Sequence, residues 1–202
     1  MNLSKPLRLL VFVCLFLAAA AISASAQTDD RTRGEASYEV TLQVLLGSND
    51  TGARSELPGK LENVTRQLRS TFGFTNYRVA STFFARVGNN GNFEYKSTAD
   101  LQGRESTDEA LTFLNWSLIS FRKVDNGFRA QSFKFGSQVP VRTATTKDES
   151  GKQSFVVNYE SIGLSLSNIG VPANVPTLLG TLTMPRTSGM LFLVMTANPA
   201  DK

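Results

Sequence analysis

The 202-residue chain contains no histidine, and its one cysteine is Cys14. Without imidazole there is no Ser-His-Asp or Cys-His constellation. Histidine-based zinc sites are excluded as well, and one thiol cannot build a cysteine-ligated site. Charge of one sign is also lacking, with 21 Lys and Arg against 17 Asp and Glu. Nothing in that balance calls for nucleic acid or an anionic membrane as a partner. No cofactor is implied, because no Gly-rich phosphate loop follows a strand and opens a helix.

The N-terminus has the three parts of a secretory signal. Lys5 and Arg8 supply positive charge, Leu9 to Ile22 is apolar, and Ala24-Ser25-Ala26 is a small-residue cleavage site. The apolar run spans 14 residues, short of the roughly 20 that a transmembrane helix needs. The expectation is a cleaved signal over residues 1–26, a flexible leader over 27–36 and no transmembrane helix afterwards. Cys14 lies inside the apolar run and away from the cleavage site, so it does not read as a lipoprotein cysteine. Removing 26 residues leaves 176, with 19 basic and 17 acidic side chains and no thiol. Extracellular eukaryotic domains of this size more often carry disulfides, so the expected compartment is the bacterial periplasm or outer-membrane surface.

The remaining length suits one domain with a real core. Tyr38, Val40, Leu42 and Val44 alternate with Glu39, Thr41 and Gln43, which predicts a strand. Leu57, Leu61, Val64, Leu68 and Phe72 fall at helical spacing. Pro58 suits the first turn, Glu62 and Arg66 an i,i+4 pair, and Gly73 a left-handed C-terminal cap. One apolar stripe on that helix predicts packing against a sheet. After Phe74 the chain reads as strands with hairpin signals at Asn90-Gly91 and Asp125-Asn126-Gly127, and a loop at residues 148–152. Strands are expected over 77–87, 92–101, 111–124, 128–135, 155–166, 178–183 and 190–196, with a frayed tail from Asn198. The order predicts an α+β, mostly β fold: an antiparallel twisted sheet or sandwich with one amphipathic helix on a face. A single β-rich domain is expected over 37–198, with a tail at 199–202.

Carboxylate and lysine chemistry survive the absence of histidine, but the residues for them are poorly placed. Ser120 and Lys123 match S-x-x-K, which works at the start of a helix and here falls in a predicted strand. Glu105, Asp108 and Glu109 share a polar loop, with nothing apolar beside them to raise a pKa. Asp148 and Glu149 read as hairpin-loop residues, and Asn49-Asp50-Thr51 is too sparse for calcium. The N-x-S/T triplets at Asn49, Asn63 and Asn115 read as chance. Lys60, Arg66 and Arg69 read as a solvated helix face, interrupted by Glu62. No catalytic or metal residues are assigned, and the expectation is a protein that is not an enzyme.

One stretch carries more. From Phe135 to Val171 a glycine and a Val-Pro dipeptide precede a polar hairpin loop, and the returning strand has a hydrophobic-Gly-Leu step. The residues are Gly136, Val139, Pro140, Tyr159, Gly163 and Leu164. This arrangement resembles the β-domain of bacterial secretins, the outer-membrane channels of type II and III secretion and of type IV pili. The chain is too short to hold a secretin's repeated periplasmic domains. The resemblance therefore implies a detached relative, and an envelope partner such as a secretin or pilus component. Two functions follow as expectations. One is protein binding through a sheet edge or exposed apolar surface. The alternative is a β-sandwich or barrel whose Phe-rich interior binds a lipid or small hydrophobe.

Overall fold

A computed structural model describes residues 36–49, 57–99, 101, 111–147 and 153–200. These belong to one unit, Ala36–Lys202. The expected signal and the leader up to residue 35 lie outside the described residues, as do Asp50, Thr51, Glu105, Asp108, Glu109, Asp148 and Glu149.

Strand β1 (Ser37–Ser48) turns Tyr38, Val40, Leu42 and Val44 into the core, as their alternation predicts. A 3-10 turn at Gly59–Leu61, entered from Pro58, leads into helix α1 (Glu62–Phe72). Gly73 closes the helix with φ 64, a conformation glycine adopts without a Cβ penalty. Seven strands follow: β2 (Asn76–Gly88), β3 (Gly91–Ala99), β4 (Thr112–Val124), β5 (Gly127–Lys147), β6 (Gln153–Pro172), β7 (Thr177–Thr183) and β8 (Met190–Pro199). They form two four-stranded sheets, β2-β1-β8-β7 and β3-β4-β5-β6, with every strand pair antiparallel. The fold is the expected α+β, mostly β sandwich with one helix on a face.

Large side chains from both sheets fill the space between them. Leu42, Trp116, Leu118, Phe121, Phe128 and Phe133 are all fully buried there. Phe121 and Phe128 stack at 5.3 Å, and Tyr38 packs edge-on against both. The helix covers the outer face of the first sheet. Leu61, Val64 and Leu68 meet Leu45, Tyr77, Phe192 and Val194 in a second core. Each such burial is worth about 1.5–3 kcal/mol. That supplies what a single amphipathic helix lacks when isolated.

Three expectations change. Asn90 takes the left-handed φ of 57 that its turn requires, but the strands it joins enter different sheets. β3 pairs with β4, and β2 pairs with β1. The strand expected at 128–135 continues to Lys147, because β6 pairs with it along its whole length. The C-terminal tail is not frayed from Asn198. Asn198 and Pro199 pair with Glu39 and Tyr38, and the Ala200 amide donates to the Ser37 carbonyl.

Candidate interaction site

The structure brings the six hairpin residues together on one ladder. Gly136 faces Gly163, Pro140 faces Tyr159, Phe135 faces Leu164 and Val139 faces Glu160. They do not form one surface. Val139 is fully buried, and Leu164 packs on the core. A Cβ at Gly180 would lie 2.5 Å from a Leu164 methyl, so Gly180 is the cavity that Leu164 fills. Gly136 is covered by the Asn115 carboxamide, and a Cβ at Gly163 would stand 2.9 Å from the Phe135 carbonyl oxygen. Both glycines thus serve close packing within the sheet.

Pro140 and Tyr159 stand where the hairpin leaves the body. The last β5 residue with a β4 partner is Gln138, opposite Phe113. Pro140 has no N–H to give, and two residues past that pair no described residue pairs with β5 on its β4 side. From there β5 and β6 run on as a two-stranded arm, with residues 142–147 and most of 154–160 exposed. Its register shifts once, at Thr143, which gives β5 an extra residue between Arg142 and Ala144.

Sequence reasoning found Tyr159 but missed the residues around it. Alternation from buried Leu114 and Trp116 sets Phe113 on the outer face of the second sheet. There Phe113 meets Tyr159, with ring centroids 5.6 Å apart. Farther out, the Arg142 guanidinium lies 4.0 Å above the Phe155 ring. Phe113, Phe155 and Tyr159 are each more than 40 % exposed, and Val156 is equally exposed on the opposite face. The signal was present in Phe155, Val157 and Tyr159, an alternation that predicts one apolar face. The ion pair between Arg186 and Glu160, at 3.6 Å, ties the base of the arm to the β7–β8 connection.

The other candidates are placed as well. Ser120 has φ 52 in an irregular part of β4, and its hydroxyl lies 3.3 Å from the Gln131 side chain. It does not open a helix, so S-x-x-K has no catalytic geometry here. The helix face keeps its predicted Glu62–Arg66 pair, at 3.0 Å. Beside that pair is an open cleft of about 310 Å³ lined by Leu57, Thr65 and Arg69. Asn63 lies in the first turn of α1 and Asn115 in β4. Among the described residues, no three His, Cys, Asp or Glu side chains group to hold a metal ion. No helix among them is long and apolar enough to cross a membrane.

No protein-family model matches the chain, and no curated protein matches its sequence. The likeness to secretins rests on the six hairpin residues themselves.

Proposed function

We propose that this chain is an exported, non-enzymatic protein of the bacterial envelope that docks on another protein through the β5–β6 arm. In this reading it serves as an accessory to a secretin-containing secretion or pilus system. The observation that carries it is the arm itself. Phe155 and Tyr159 lie exposed on one face of a ribbon that has left the sandwich, and Phe113 of β4 extends that face at its base. A lone two-stranded ribbon is marginal in water, and exposed aromatic side chains are favoured anchors at protein interfaces. Bulky side chains fill the space between the sheets, which favours docking over a lipid-holding interior.

Crosslinked capture from the native envelope tests this, comparing the wild-type protein with a Phe155→Ser, Tyr159→Ser double variant. Secretin or pilus components recovered with the first and lost with the second are the expected result. Recovery of lipid alone overturns the proposal.

A further inference from the structure

The two edges of the arm are built differently. Along β5 the edge turned away from β6 carries Pro140, the bulge at Thr143, and the charges of Arg142 and Lys147. Proline, bulges and charge are the usual means by which an edge strand is kept from pairing with another chain. Along β6 the stretch Gln153 to Tyr159 has no proline, no glycine and no charge, and its register against β5 places no extra residue in β6. Among the described residues, β5 is the only strand that pairs with β6, which ends its sheet. Among the described residues, one edge of the arm is blocked and the other is open.

The open edge is complementary to itself. Phe155, Val157 and Tyr159 share the outer face, and Ser154, Val156 and Asn158 the other. Two antiparallel copies of β6 related by a two-fold axis at Val157 would set Phe155 of each opposite Tyr159 of the other. Val157 would meet Val157, and Val156 would meet Asn158. The two Phe–Tyr pairs are aromatic on aromatic, a kind of cross-strand pair that stabilises adjoining strands, and the valine pair between them is β-branched, suited to a pleated surface. Glu160 would face Ser154, so no like charges oppose each other, and a two-fold interface needs that self-complementarity.

We propose that a second copy of this chain docks along the β6 edge, joining two arms into a continuous four-stranded ribbon with Val157 at the two-fold axis. The proposal rests on the reading of the arm as the docking surface, and it names a partner for it. Pairing doubles the number of strands in the ribbon and lets the aromatic rows of the two arms adjoin. It leaves the β5 edges, already protected, as the new borders.

The test uses protein processed from the full 202-residue chain, with mass measured by sedimentation over a range of concentrations. The wild type is expected at twice the mass of one chain. Val157→Glu gains Arg142 as its neighbour across β5, so the fold is kept while two carboxylates meet at the axis and the dimer is lost. Val157→Lys alone is monomeric too, and an equal mixture of the two variants regains the dimer. Oxidation of Val157→Cys gives a covalent dimer, whereas Tyr159→Cys, displaced from the axis, does not. A wild type at the mass of one chain throughout overturns the proposal, as does a dimer that survives Val157→Glu. Capture of secretin components by a monomeric wild type would sink self-pairing and leave the docking reading standing. A dimer that captures none would do the reverse.

Discussion

Phe192 and Phe155 both point away from the space between the sheets, one from each sheet. Phe192 is fully buried and Phe155 is 43 % exposed. Phe192 sits under α1, ringed by Phe72, Phe74 and Tyr77 at centroid distances of 5.0 to 6.2 Å. Phe155 has only the flat cation of Arg142 above it among the described ring contacts. The strands carry the same kind of side chain, and the difference is what lies over them. On the first sheet the chain supplies its own cover, a helix inserted between β1 and β2. On the arm of the second sheet the described chain supplies none. An outward-facing aromatic row is therefore buried or exposed according to what covers it, not according to its own pattern.

The sharpest test of that contrast is truncation at the covered site. Phe192→Ala should cost about 3–5 kcal/mol, read as a drop in the urea midpoint at unchanged slope. A loss below 1 kcal/mol would mean that the helix is not sealing the sheet. Next comes Gly47→Ala. Its new Cβ would stand 2.8 Å from ring carbons of both Phe74 and Phe192. Overpacking of that kind costs about 1–3 kcal/mol, and an unchanged melting temperature would show the helix layer to be loose.

A smaller effect comes from Tyr77, whose hydroxyl donates to the Leu68 carbonyl at 3.0 Å. Tyr77→Phe should cost about 1 kcal/mol. Burial raises the Tyr77 phenol above its ordinary value of 10.0. A raised acid is held neutral in the folded state, so its contribution is present below the unfolded value and lost as pH climbs past it. The gap between wild type and Tyr77→Phe should narrow above that pH in denaturation series, and a constant gap would contradict it. The smallest effect is expected on the arm. Phe155→Ala should change folding stability by about 0.5 kcal/mol, while reducing self-association in sedimentation. A large stability loss there would erase the contrast with Phe192.

Much of the body was legible in the chain. The alternation from Tyr38 to Val44 and the stripe from Leu61 to Phe72 each report a periodicity that survives folding, although Leu57, expected on the same stripe, lies ahead of the 3-10 turn that leads into the helix. The Glu62–Arg66 pair and the Gly73 cap are equally local, and both stand as expected. Less legible were choices made at a distance. Turn chemistry at Asn90 sets a local φ but cannot say that β2 and β3 will part into separate sheets. Gly136 and Pro140 read as breaks in a strand, yet β5 runs through both. One glycine gives space to Asn115, and the proline lies where β4 has ended. Asn198-Pro199 reads as a frayed tail until β1 is beside it to pair. The six hairpin residues did come together, but they marked the base of the arm. Phe155, farther out on the arm, was missed because Phe155, Val157 and Tyr159 alternate as a buried strand would.

The pairing of β1 with β8 has a consequence in time. Their partners run from Tyr38 with Pro199 to Gly47 with Met190, so the first strand made is zipped to the last. Contacts that far apart in a chain must wait for a long loop to close, and folds rich in them form slowly. A chain delivered N-terminus first, from a ribosome or through a narrow pore, can raise α1 and the β4–β5 hairpin early. It cannot seal the layer beneath the helix until Phe192 and Val194 arrive. The first sheet therefore cannot close around β1 until β8 is made.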